Sequence, residues 1–194
     1  DTNGNTAIHY CISHCNFEIA GLLLDTEVCD VNKRNKAGYT PIMLTGLATF
    51  QNQQQRDIVK RLLSFGEIDA KATTTQQTAL MLAASHGRIE MVQLLTEEGA
   101  DVNLQDVDGS TALMCACEHG HLEIVNHLLT VPSIDVNITD NEGSTALNIA
   151  METSHKDIGV VLYKYLNFSK PPSPGSQQKR RISSSPTQSN FGIP

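Results

Sequence analysis

The densest group of side chains that could do chemistry is Cys115, Cys117, His119, His121 and Glu123. Thiolates and imidazoles at such spacing could hold a zinc ion, and His121-Leu122-Glu123 has the His-x-Glu order of a zinc deaminase. A deaminase also needs a later Pro-Cys-x-x-Cys, which is absent. Gly120 lies between the two histidines and is a natural helix terminator, so they fall on different elements. No metal ion is expected. The five cysteines are Cys11, Cys15, Cys29, Cys115 and Cys117, an odd number without Cys-x-x-Cys spacing, which suits neither a disulfide framework nor a zinc site. They fit a reducing compartment. No Gly-rich phosphate loop, Ser-His-Asp ordering or carboxylate pair stands out. The expectation is a protein that is not an enzyme, with no catalytic residues and no cofactor.

Charge points the same way. Fourteen basic and twenty-one acidic residues give a net charge of -7, and four of the basic ones (Lys170, Lys179, Arg180, Arg181) follow residue 169, where no acid occurs. Residues 1–169 therefore carry -11. Clustered cations bind phosphate backbones, so an acidic body argues against nucleic acid and favours a basic or mixed-charge protein partner. The sequence has no apolar run of membrane-spanning length and no signal-peptide pattern near its start, and a soluble intracellular protein is expected.

The elements that position these residues follow from a repeat. Thr6-Ala-Ile-His, Thr40-Pro-Ile-Met, Thr78-Ala-Leu-Met, Thr111-Ala-Leu-Met and Thr145-Ala-Leu-Asn recur at spacings of 34, 38, 33 and 34. Gly4, Gly38, Gly109 and Gly143 stand two residues before a Thr, and Asp1, Asn35, Asp106 and Asp140 stand five before. Each Thr can cap the helix that follows it, and Pro41 sits where a helix tolerates a missing N–H. In the fourth unit a first helix runs to Glu118 and His119, Gly120 ends it, and Leu122, Ile124, Val125, Leu128 and Leu129 form the apolar face of a second. Each unit is thus a hairpin of two short helices. Helices this short are marginal alone and must be stabilised by stacking on their neighbours.

This pattern resembles the ankyrin repeat, with its period of about 33 residues and its Thr-Pro-Leu-His-like tetrapeptide. The expected fold is all-α, a solenoid of five units at about 1–34, 35–72, 73–105, 106–139 and 140–168. A Ser/Pro-rich basic tail over 169–194 is too poor in apolar groups to fold and is expected to be disordered.

Three places depart from the pattern. The second unit carries five extra residues near Thr49–Arg56, read either as an extended helix or loop or as a protrusion that shapes the binding face. In the third unit Gln76 replaces the turn glycine and Thr73 the acidic capping residue, which predicts a weak turn. The array also begins on a turn with no polar unit ahead of Thr6. The expectation there is a fragment, or the C-terminal part of a longer protein, whose preceding helices cover Ile8, Cys11 and Ile12. At the other end the helix through Tyr163, Lys164 and Tyr165 reads as a cap.

In ankyrin proteins the turns and first helices line a concave groove. By register, that groove takes Asn3, Asn5, Lys36, Tyr39, Thr75, Gln77, Asp108, Ser110 and Glu142 from the turns. From the helices it takes Tyr10, Ser13, His14, Leu44, Leu47, Leu82, Ser85, His86, Glu118 and His119. Tyr10, Tyr39, Leu44 and Leu47 fall in the first two units, and aromatics and leucines among polar groups have the composition of a peptide-binding hot spot. Leu44 and Leu47 could instead pack beneath the insertion. His9, Met43, Met81 and Met114 occupy the last tetrapeptide place, read as a structural hydrogen bonder and as core filling.

Longer phrases carry a closer resemblance. Asp1-Thr-Asn-Gly-Asn-Thr-Ala-Ile-His-Tyr10, Asn35-Lys-Ala-Gly-Tyr-Thr-Pro-Ile-Met-Leu44, Gln77-Thr-Ala-Leu-Met-Leu-Ala-Ala-Ser-His-Gly-Arg88 and Asp108-Gly-Ser-Thr-Ala-Leu-Met-Cys-Ala-Cys-Glu-His-Gly-His121 exceed the generic repeat. Over residues 1–168 the chain resembles the Kank family of cortical scaffold proteins. The resemblance implies a docking module for a kinesin-4 motor segment, working in the cytoplasm at the cell cortex and coupling microtubules to adhesion and actin machinery. It places Tyr10 and Ser13 in the groove. The alternative is an ankyrin adaptor for a different cytoplasmic or nuclear protein. In the tail, Lys179-Arg-Arg-Ile-Ser-Ser-Ser-Pro186 has the look of a basophilic kinase site, with Ser183 and Ser184 as candidate phosphorylation sites and a 14-3-3 protein as reader; a plain solvated tail is the other reading.

Overall fold

The computed structural model describes residues 1–26 and 28–168; the tail, with Ser183 and Ser184 and the disorder expected of it, lies outside the described residues. Among the described residues ten helices pair into five hairpins. The inner helices are α1 (Ala7–Ser13), α3 (Pro41–Thr45), α5 (Ala79–Ser85), α7 (Ala112–Glu118) and α9 (Ala146–Glu152). The outer helices are α2 (Phe17–Asp25), α4 (Gln53–Phe65), α6 (Ile89–Glu97), α8 (Leu122–Leu128) and α10 (Lys156–Phe168). Inner helices pack on one another in chain order; in the outer row α2 lies on α4, α6 on α8 and α8 on α10. The described residues contain no β-strand, only a single antiparallel bridge between Thr139 and Thr145. Among them no helix is long and apolar enough to cross a membrane.

The tetrapeptide works by a reciprocal bond. Thr40, Thr78, Thr111 and Thr145 accept with their hydroxyls from the amide three residues on, at 3.3 Å in each case. The fourth residue accepts back from the Thr amide: His9 through Nδ1 at 3.1 Å, Met43, Met81 and Met114 through Sδ at 3.4 Å, and Asn148 through Oδ1 at 3.0 Å. His, Met and Asn share this place because each offers an acceptor there. The methionines therefore fill the core and also close the first turn of their helices.

His9 is fully buried, and its Nε2 lies 3.0 Å from the Tyr39 carbonyl. Because Nδ1 accepts, Nε2 carries the proton and donates. Burial lowers its pKa from 6.5, so the unfolded chain binds the proton more readily and stability falls as the pH drops below about 6.5. His127 is lowered in the same way by burial. His9→Met is expected to shrink the drop in urea midpoint between about pH 7.5 and about pH 5, leaving the His127 share. An undiminished drop would contradict this.

The turns repeat a second device. Asp1, Asn35, Asp106 and Asp140 each accept, through Oδ1, from an amide two or four residues on, at 2.8 to 3.0 Å. The third turn lacks it and is one residue longer: the Ala72 amide donates to the Gln77 carbonyl, whereas the Asn35 amide donates to Tyr39. Ala72, not Thr73, thus occupies the capping place, a correction the Thr spacing alone did not reveal. Gln76 keeps the left-handed conformation, with φ 57°. Its side-chain amide donates to the Ala72 and Thr73 carbonyls at 3.1 and 3.2 Å, bracing the turn by donation where the other turns use an accepting side-chain oxygen. Gln76→Gly relieves the left-handed cost of about 1–2 kcal/mol but adds chain entropy, so a net gain of about 0.5 kcal/mol in urea denaturation is expected.

The five-residue insertion joins the outer row. Asn52 caps α4 by accepting from the Gln55 amide at 3.0 Å, and α4 reaches 13 residues against 9 in α2 and α6. Phe50 packs on Phe17 with ring centroids 6.0 Å apart, and Arg56 pairs with Glu97 at 2.5 Å. Lys60 pairs with Glu98 and Arg61 with Asp25, so α4 is tied to both α6 and α2. These contacts belong to the outer row and not to the concave face.

The first unit needs a correction. Ile8, Cys11 and Ile12 are buried within this chain and need no preceding helix. Among the exposed apolar side chains of that unit are Ile19 and Leu22 of α2, 47% and 66% exposed, where α6 buries Met91 and Leu94 to 1% and 0%. α6 has an outer helix on either side, and α2 only on one.

Candidate partner-binding groove

The concave face is assembled from turns tied together across units. Lys36 N donates to Asn3 O at 2.8 Å, Val107 N to Thr75 O at 3.0 Å and Asn141 N to Asp108 O at 3.0 Å. Asn35 Nδ2 donates to Asn5 Oδ1 at 2.8 Å. Asn3, Asn5, Thr75 and Asp108, all groove candidates by register, therefore carry inter-unit bonds. A row of turns held this way is a preformed surface, which lowers the ordering cost of binding.

Tyr10 stands at the middle of α1, 44% exposed, its hydroxyl donating to the Asp1 carboxylate and its ring tilted against His14. Ser13 donates to the Tyr10 carbonyl at 3.2 Å. His14, His86 and His119 cap inner helices alike: Nδ1 lies 3.0, 2.9 and 3.0 Å from the carbonyls of Tyr10, Leu82 and Cys115. A carbonyl can only accept, so Nδ1 holds the proton and Nε2 is left as the acceptor that a partner could engage. Ser85 meets His86 at 3.1 Å. Leu47 is 40% exposed, Tyr39 and Gln77 are half-buried, and Glu118 is exposed.

Two candidate residues serve the core more than the surface. Leu82 is buried with Met43, Ala70 and Ala72, and Tyr39 packs over that cluster, so Leu82 supports Tyr39 and does not present itself to a partner. Leu44 is partly buried against the main core. Of the apolar groove candidates in the first two units, Tyr10 and Leu47 are the exposed ones.

The cysteine and histidine group resolves into packing. Cys115 and Cys117 are buried, which pushes each thiol up to about 12 and keeps it protonated. His121 caps α8 and reaches back to the Ser85 carbonyl at 3.0 Å; His155 does the same to Cys117 at 2.9 Å. These are bonds between units, a role that only the register across units could have disclosed. Among the described residues no three His, Cys, Asp or Glu side chains converge as metal ligands.

A further concavity lies farther along. Asp108, Ser110, Glu118, Glu142, Ile149 and Glu152 are among the residues lining a groove of about 400 Å³ between the fourth and fifth units. Ile149 and Glu152 were not among the sequence candidates; they come from the last turns of α9, where a register built on the tetrapeptide says least.

Stacked helical hairpins with capped turns and a concave face define a repeat solenoid of the kind that binds other proteins. A family model for ankyrin repeats in three copies matches residues 29–106 and 98–171, and one for the single ankyrin repeat matches residues 3–36. The chain belongs to the ankyrin-repeat family. It is 31% identical over 98 residues to neurogenic locus notch homolog protein 1 of Xenopus laevis and 32% identical over 97 residues to that of Cricetulus griseus. Each match covers 45% of this chain and 4% of the relative.

Proposed function

We propose that the protein is a peptide-binding scaffold module of the Kank type, which takes a segment of a kinesin-4 motor in the concave face of its first units. On this reading it works in the cytoplasm at the cell cortex and couples microtubules to adhesion and actin machinery. The observation that carries the reading is the pairing of Tyr10, exposed on α1, with the long Kank-like phrases around it. Leu47 offers a second exposed apolar contact, and His14 and His86 offer imidazole acceptors between polar turns. An aromatic anchor rimmed by polar groups is the usual energetic centre of such a surface.

Titration of a kinesin-4-derived peptide against the chain tests this. Tyr10→Ala is expected to weaken binding at least about tenfold. Equal affinity in the variant would reject the groove assignment. Absence of binding by the unaltered chain would reject the motor and leave an ankyrin adaptor for a different cytoplasmic or nuclear protein. On the tail, Ser183 and Ser184 are proposed as phosphorylation sites read by a 14-3-3 protein, and native protein without phosphate on either serine would remove that part.

A further inference from the structure

We infer that the chain carries its own ligand: the basic segment Lys179-Arg180-Arg181 docks in the groove between the fourth and fifth units. The reading is separate from the motor-binding proposal, which concerns the first units.

Three independent features converge on it. The first is shape. The groove of about 400 Å³ is walled by two turns and the ends of α7 and α9, and Ile149 contributes an apolar patch to it. The second is charge. Residues 1–88 hold eight acidic and eight basic side chains, whereas residues 89–155 hold twelve acidic ones and no lysine or arginine. The negative charge is thus confined to the third, fourth and fifth units. Among the described residues all three ion pairs are made by cations of α4, and they leave Asp108, Glu118, Glu142 and Glu152 without a cationic partner. Carboxylates gathered in a concavity focus the field and draw in cations.

The third feature is the tether. α10 ends at Phe168 and packs on α9, whose own last residues line the groove. Lys179 follows Phe168 by eleven residues, a reach of about 35 Å when extended and about 18 Å on average for a flexible chain. That spans a few helix diameters, enough to return to the adjoining unit. Tethering at this length gives an effective concentration on the order of millimolar, so even a weak contact is populated. The segment brings three adjacent cations with no acid in 169–194, and Ile182 follows them as an apolar match for Ile149. Phosphate on Ser183 would set about two negative charges beside the cations and release the segment.

Amide chemical shifts of the full chain, compared with a Lys179→Glu, Arg180→Glu, Arg181→Glu variant at low salt, test the inference. The expected differences lie at Asp108–Ser110, Glu118, Glu142–Ser144 and Glu152, vanish at high salt, and do not change over a tenfold range of protein concentration. A Glu118→Lys, Glu152→Lys variant should lose the same shifts without altering the tail. No difference in the groove would overturn the proposal, as would differences equally large at Glu90 and Glu97 on the outer row. Shifts that grow with concentration would assign the groove to the tail of a second molecule and refute the intramolecular contact. Because the experiment contains no motor peptide and leaves Tyr10 unaltered, its failure leaves the motor-binding proposal standing.

Discussion

Leu113→Ala is expected to lower the stability of the protein by about 3–4 kcal/mol, the range for truncating a buried leucine in a core that cannot collapse around the gap. Leu113 is 1% exposed on α7, which packs on α5, α8 and α9 at once. In a stack each unit is held by its neighbours, so a cavity in the fourth unit weakens two interfaces as well as its own hairpin. Urea denaturation followed by circular dichroism should show an earlier midpoint. It should also show a shallower slope if the first three units then melt apart from the last two. A loss under about 1 kcal/mol would mean that neighbouring helices close the gap.

The second large effect concerns two glycines that look alike in sequence. Gly109 and Gly143 have φ angles of 81° and 83°, and alanine at either place adopts a left-handed conformation. Their surroundings differ. A Cβ on Gly109 would sit 2.8 Å from the Asn141 amide nitrogen, which belongs to the turn of the next unit, whereas a Cβ on Gly143 meets nothing within 4 Å. Gly143→Ala is therefore expected to cost about 1 kcal/mol, from backbone strain alone. Gly109→Ala adds a clash with the Asn141–Asp108 bond that joins the two turns, and about 2–3 kcal/mol is expected. Equal losses in the two variants would show that the turns shift freely past one another.

What could be read from the sequence was whatever depends on local chemistry. Threonine caps, the glycine at 120 and the apolar faces of α6 and α8 specify helices wherever the chain goes, and they stand where the spacing placed them. Leu82 shows the limit. Its register on an inner helix is legible, but its burial depends on Tyr39 folding over it from the preceding unit. Ile8, Cys11 and Ile12 make the same point in reverse, because an apolar pattern says that a face is covered without saying by which neighbour. The third turn misled because one added residue moved the capping place to Ala72, a shift visible only in the hydrogen bonds. Of the candidate surface, Tyr10 and Glu118 are exposed on their inner helices, while Glu152 and Ile149 join a groove that no single repeat encodes.

The place that accepts from each capping threonine also gives the array a chemical direction. In the first unit the acceptor is an imidazole, and in the next three it is a thioether 0 to 2% exposed. At this capping place acid acts in the first unit: protonating His9 removes the acceptor and turns it into a second donor facing an amide. Thioethers do not respond to acid, but oxidant converts them to bulky polar sulfoxides. That damage can reach Met43, Met81 and Met114 only after their units have opened, so peroxide labelling of the three would record the order in which the middle of the stack breathes.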